Sequence, residues 1–137
     1  VTALRRMLRE DRTFTALGMR LEVDEPGRAV ISMVVREDMT NGFAITHGGM
    51  VFALADTAFA VACNEDDRVT VAAGADITFL KSTRTGDTLR ATAVRRIRSG
   101  RTGLYDVTVT DAAGDAVAEF RGRSIATDRV VGSPASV

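Results

Sequence analysis

The stretch THGGMVFALADTAFAVACN, Thr46 to Asn64, decides the fold. From Met50 to Asn64 it carries one charged group, Asp56, among alanines, valines, a leucine and phenylalanines, in a chain that is 26% charged overall. Alanine and leucine favour helix, so the run predicts one long helix from about Gly48 to Asn64. A helix apolar on every side must be covered on every side.

The covering material lies on both flanks. Upstream, a strand around Arg20–Val23, the turn DEPG at 24–27 and the β-branched run RAVISMVV from Arg28 read as a hairpin. Downstream, Val69–Leu80 alternates at the period of a strand, and Leu89–Ile97, Leu104–Thr110 and Ala116–Ala126 follow, separated by the short glycine-bearing loops SGRTG and DAAGD. Short loops imply antiparallel neighbours. The expected fold class is therefore α+β, a curved antiparallel sheet wrapped around a central helix. At 137 residues the chain reads as one domain, with a short N-terminal helix within residues 1–14 and a loose tail over 128–137.

Formal charge is zero, from eighteen basic and eighteen acidic side chains, so neither nucleic acid nor a membrane surface is expected as a partner. Cys63 is the only cysteine, no apolar run approaches the roughly 20 residues that span a bilayer, and the opening segment lacks a secretory pattern. The expectation is a cytoplasmic protein. One histidine and one cysteine make no ordinary zinc site. Phosphate-loop, dinucleotide-binding and G-x-S-x-G patterns are missing as well.

What stands out is Asp56. An ionised carboxylate in an apolar setting is costly unless it is paired, hydrated or at an interface, although an exposed helix edge would also accommodate it. Gly48 and Gly49 fit the first turn of the helix, where N–H groups lack partners and the dipole is positive, so this terminus can polarise a carbonyl; a tight turn would equally call for glycine. Gly49 and Asp56 are seven residues apart, or about 10 Å along one helix, too far to meet at one reacting centre. If both act together, they come from two subunits related by a twofold axis, with antiparallel helices and two equivalent sites. Asp56 would then serve as base or as nucleophile.

With these residues in view, NGFAITHGGMVFALADTAFAVACN, Asn41 to Asn64, closely resembles the hotdog-fold acyl-CoA thioesterases, the phenylacetyl-CoA thioesterase (PaaI) type in particular. Asn41, His-Gly-Gly six residues on and an Asp nine after the histidine form a specific pattern, and the likeness continues through ITFLKSTRTGDTLRATA, RTGLYDVTV and AEFRGRS. The resemblance implies a hotdog fold, dimers and commonly tetramers, and hydrolysis of an acyl-CoA to free acid and coenzyme A without a metal or redox cofactor. Carried over, Asp56 is the base or nucleophile and the Gly49 amide polarises the thioester carbonyl. Gly48 lies beside it, His47 supports the loop and the thioester, and Asn41 orients thioester or water. An aromatic acyl group would contact Phe52 and Phe59, unless both are core.

Coenzyme A also requires cations for its phosphates, and the resemblance points to KSTR, from Lys81 through Ser82 to Arg84, and to Arg98 and Arg101 in RRIRSGR, where solvated hairpin charge is the plainer alternative. One departure is that VAAGAD, Val71–Asp76, lacks the hydroxyl that relatives often place near the water, leaving Thr57 or a bound water as the substitute. Two other activities share this architecture or this ligand: a hotdog hydratase or dehydratase and a non-catalytic acyl-CoA sensor. The first leans on a proline-rich segment around its histidine, which this chain lacks; the second usually carries a DNA-binding module, which the short segment before Met19 cannot hold.

Overall fold

The alanine-rich run folds as a helix, α2 (Gly48–Cys63), because both of its ends find partners. At the start, His47 adopts an extended conformation and its Nδ1 accepts from the Gly49 N–H at 2.8 Å. At the end, the Asn64 side chain donates to the Ala60 and Thr70 carbonyls and accepts from the Thr70 N–H, so one amide closes the helix and ties it to the next strand. The computed structural model describes residues 8–66 and 68–130.

Among these residues the strands are β1 (Arg20–Glu25), β2 (Arg28–Val34), β3 (Arg68–Phe79), β4 (Thr88–Ser99), β5 (Thr102–Thr110) and β6 (Ala116–Val130). They form one antiparallel sheet in the order β1-β2-β4-β5-β6-β3, leaving β1 and β3 at its edges. The order follows from loop length: β4, β5 and β6 are joined by tight turns, while the helix carries the chain from β2 across to the far edge. Leu89, Ala91, Ala93, Tyr105, Val107, Val109 and Phe120 point inward and pack with the buried side of α2. The sheet is the expected wrapper around the expected filling.

Two close approaches hold helix and sheet together. A Cβ on Gly122 would stand 2.7 Å from the Phe59 ring, and one on Gly48 would stand 3.0 Å from the Phe79 ring. Only glycine lets those rings in.

The wrapping is nonetheless incomplete, which corrects the expectation that the helix is covered on every side. Phe52, Ala53, Asp56 and Ala60 are half-buried and Gly49 is exposed, whereas Leu54, Ala55, Ala58 and Phe59 are buried. At ~100° per residue the first five lie along one stripe. The sheet ends at β3 before it reaches that stripe. Beside it the edge strand leaves Val71, Phe79 and the following Leu80 exposed.

The chain ends also differ from expectation. Residues 8–10 are helical, and a second helix, α1 (Arg12–Ala16), starts afresh at Asp11, whose side chain accepts from the Phe14 N–H. Residues 1–7 of the expected N-terminal helix lie outside the described residues. Residues 128–130, expected in the loose tail, continue β6, with Val130 opposite Arg68; 131–137 lie outside the described residues. Among the described residues no helix is long and apolar enough to cross a membrane.

Candidate active site

Asp56 sits on the open stripe of α2, half-buried, with no hydrogen bond or ion pair among the described residues. Loss of water around it raises its pKa above the ordinary aspartate value, and the nearby Asp11 carboxylate raises it further. Those are the conditions under which a carboxylate is a better proton acceptor than it is in water.

Two turns away, the helix start presents a different picture from the one expected. The Gly49 N–H, expected to be free for a carbonyl, is engaged by His47. Because Nδ1 accepts this bond, a neutral His47 ring carries its proton on Nε2 and offers that N–H outward. The Gly48 N–H has no partner among the described residues. Asn41 heads the preceding loop: its Oδ1 accepts from the Phe43 N–H at 2.9 Å, and its backbone exchanges bonds with Ala44 and Ile45. Ala44 takes the left-handed conformation, φ 59, that closes this loop.

Loop, helix start and the segment after β3 surround a cleft of about 330 Å³. Asn41, Gly48, Lys81 and Ser82, all expected at the site, line it. Ile45, Val51, Phe79, Leu80 and Val117 make its walls apolar. Thr46 and Thr83, which sequence reasoning passed over, also line it and share a hydrogen bond of 2.7 Å between hydroxyls. Their signal was present: one precedes the histidine and the other lies inside KSTR.

Other expected residues lie elsewhere. Phe59 is 1% exposed and packed against Tyr105 and Phe120, so it is core and not pocket wall. Phe52 stays on the open stripe, edge-on to Phe120 with ring centroids 5.3 Å apart. Thr57 donates its hydroxyl proton to the Ala53 carbonyl within its own helix. The Lys81 ammonium is clamped by Asp111 at 2.6 Å and Asp115 at 2.7 Å, two strong bonds that raise its pKa and occupy it. Arg101 pairs with Asp128, and Arg98 with Glu65 and Asp66. The Arg84 guanidinium has no partner among the described residues.

Arg98 belongs to a group at the opposite end of α2. Glu65, with its side chain 5% exposed, accepts from the Tyr105 hydroxyl and pairs with Arg95 and Arg98. An acid just past a helix C-terminus faces the negative end of the dipole and requires such cations, a signal that EDDR carried unread. Burial pushes the Cys63 thiol up to about 12, which leaves it protonated and unsuited to nucleophilic attack.

The thioesterase superfamily model matches residues 43–118, which include the helix, most of the loop before it, β3, β4, β5 and the start of β6. Over 118 residues the chain is 42% identical to the acyl-coenzyme A thioesterase PaaI of Escherichia coli K12, covering 86% of this chain and 84% of that one. The chain belongs to the thioesterase superfamily. Among solved structures, the Escherichia coli PaaI protein from the phenylacetic acid degradation operon superposes with a TM-score of 0.90 at 40% identity, covering 92% of this chain and 91% of that one. A Streptococcus mutans protein solved with acetyl CoA bound superposes with a TM-score of 0.76 at 26% identity, covering 80% of this chain and 88% of that one. This thioesterase thus has the hotdog fold and is a thioester hydrolase.

Proposed function

We propose that the chain is a single-domain acyl-CoA thioesterase, acting on aromatic acyl groups of the phenylacetyl type, whose sites are shared between two protomers. The observation that carries this reading is Asp56: a partnerless, half-buried carboxylate on the one stripe of α2 that its own sheet leaves open. A second copy packed antiparallel on that stripe covers its apolar groups. With the twofold axis at Phe52 and Ala53, midway between Gly49 and Asp56, each helix start faces the other chain's carboxylate. The exposed edge of β3 beside the stripe supports the same partner. A tetramer of two such dimers would also cover the outward-facing Val94 and Ile125.

In the reaction the thioester carbonyl oxygen lies at the helix start, accepting from the Gly48 N–H and taking over the Gly49 N–H as His47 turns aside; Asn41 and the His47 Nε2–H flank it. The partner's Asp56 either removes a proton from the attacking water or attacks the carbonyl carbon itself, and its raised pKa suits the first role. On the first route the carbon–sulfur bond breaks, the thiolate takes the proton that Asp56 removed from water, and acid and coenzyme A leave; on the second the thiolate leaves a mixed anhydride on Asp56, which water then hydrolyses to release the acid and a proton. No cofactor takes part. The acyl group packs near Phe52 at the subunit seam. Of the cations expected at the site, Arg84 is the one without a partner among the described residues and is free to meet a phosphate. Arg98 and Arg101 lie towards the C-terminal end of α2, which an antiparallel arrangement brings near the partner's cleft.

Thiol release measured over a panel of aromatic and aliphatic CoA esters tests the reading. Phenylacetyl-CoA should turn over best, and Asp56→Asn should abolish turnover in a folded protein. Near-normal rates in that variant would refute the assignment.

A further inference from the structure

The segment that leads into the sheet turns one row of side chains inward. From residue 8 to residue 17 these are Leu8, Asp11, Phe14 and Leu17, three apart, and every residue between them is exposed. Leu8 belongs to the core, and Phe14 and Leu17 pack against it. Asp11 is therefore a carboxylate in a row of apolar contacts. Its place is fixed from both ends of α1: its Oδ1 accepts from the Phe14 N–H at 2.9 Å, and the Arg36 Nη1 donates to the Ala16 carbonyl at 2.9 Å.

Capping does not require that charge, since serine or asparagine caps a helix as well. The second Asp11 oxygen has no hydrogen bond among the described residues, and Arg9 and Arg12 beside it are exposed. What Asp11 stands beside is Asp56, another carboxylate without a cation among the described residues. Two like charges close together, each partly withdrawn from water, disfavour one another's ionised form. Burial is the larger cause that raises the pKa of Asp56, and Asp11 adds to it. Of the ionisable groups on the elements packed against α2, Tyr105, Arg95 and Arg98 are gathered by Glu65 at its far end, and Asp24 on β1 has an interaction of its own. On α2 itself Cys63 stays protonated and His47 caps the helix start. A repulsion kept where a neutral cap would serve points to a use in the chemistry of Asp56.

Resting on the acyl-CoA reading above, we infer that Asp11 is a positioning residue of the thioesterase: held on α1 beside Asp56 of the same chain, it keeps that carboxylate an effective proton acceptor for the attacking water. It acts through Asp56. The short helix α1 then belongs to the machinery of the site as well as to the wrapping of the core.

Charge and cap can be separated by substitution. Asp11→Asn and Asp11→Ser keep a capping oxygen and lose the charge, whereas Asp11→Glu keeps the charge and caps poorly. Carbon-13 NMR of aspartate-labelled protein, with the Asp56 carboxyl identified by its loss in Asp56→Asn, follows the titration of Asp56 without substrate. The pH profile of kcat/KM for phenylacetyl-CoA follows it in the reaction. In the Asn and Ser variants the Asp56 midpoint and the acid limb of the profile should both move to lower pH, with the plateau about threefold lower and the melting temperature little changed. Asp11→Glu should melt lower yet keep midpoint and limb near those of the unmodified protein. A midpoint that stays in place in a folded Asn or Ser variant, or that follows the cap instead of the charge, would overturn the assignment. A midpoint that moves while the acid limb stays would show that Asp56 is not the base and would sink this inference with that role. If the unmodified protein hydrolyses no CoA ester, the thioesterase reading itself fails and takes the inference with it, an outcome visible before any substitution is made.

Discussion

The two ends of α2 are built on opposite rules. At the C-terminal end every polar group described has a partner: Asn64 caps Ala60 and staples Thr70, and Glu65 gathers Tyr105, Arg95 and Arg98. At the N-terminal end and along the stripe, groups are left free: the Gly48 N–H, the Arg84 guanidinium and the Asp56 carboxylate. A satisfied end is a hinge pin, whereas free donors and an unpaired acid in one neighbourhood are waiting for something that is not part of this chain. Substitutions should therefore divide by end, with stability lost at one and rate lost at the other.

The largest expected effect belongs to the open side. Asp56→Asn should lower kcat by about a thousandfold, as loss of a positioned base does. The same change should raise thermal stability at neutral pH. The sign follows from linkage: a carboxyl whose pKa is raised on folding contributes stability fully below its unfolded pKa and loses it as pH rises through the folded value. An amide avoids that loss, so wild type and variant should converge in stability in acid and diverge above it, as melting curves across pH would reveal. Activity of the wild type should fall on the acid side at a pH above the ordinary aspartate range.

At the closed end, Glu65→Ala should cost about 2 kcal/mol in denaturant unfolding, since it strands the Tyr105 hydroxyl and the partly exposed Arg95 and leaves Arg98 only Asp66, while kcat per folded molecule stays near wild type. Asn64→Ala, which releases the helix cap and its tie to β3, should cost somewhat less, about 1.5 kcal/mol, again with little change in rate. Back at the open end, His47→Ala should cost about 1 kcal/mol as a lost N-cap and reduce kcat/KM less than tenfold. If the stability losses fell at the glycine end and the rate losses at the asparagine end, the contrast between the two ends would be wrong.

The sequence made much of this legible for reasons that can be located. Asp56 was visible because a lone charge in an apolar run is conspicuous, and the sheet was visible because alternation and short glycine loops leave few other arrangements. The open stripe was not, because Phe52, Ala53 and Ala60 are apolar whether their own sheet or another molecule covers them. Phe52 and Phe59 sit two turns apart on nearly the same face, yet Gly122 makes room for one ring only, a distinction set by a residue on a distant strand. Lys81 looked free because its two acids lie 30 and 34 residues away along the chain. Gly49 looked free because histidine is an uncommon helix cap and gave no local warning that its ring would turn back.

Mixing two inactive chains tests the shared site most directly. Asp56→Asn lacks the acid; Gly49→Pro lacks the N–H, at a first-turn position that admits proline once the His47 ring turns aside. Refolded together from denaturant in equal amounts, half of the dimers would pair one of each, and each mixed dimer would hold one intact site and one doubly altered site. The account predicts recovery of about a quarter of wild-type activity. Mixed dimers that form but stay inactive would contradict it, since acid and helix start would then have to belong to the same chain.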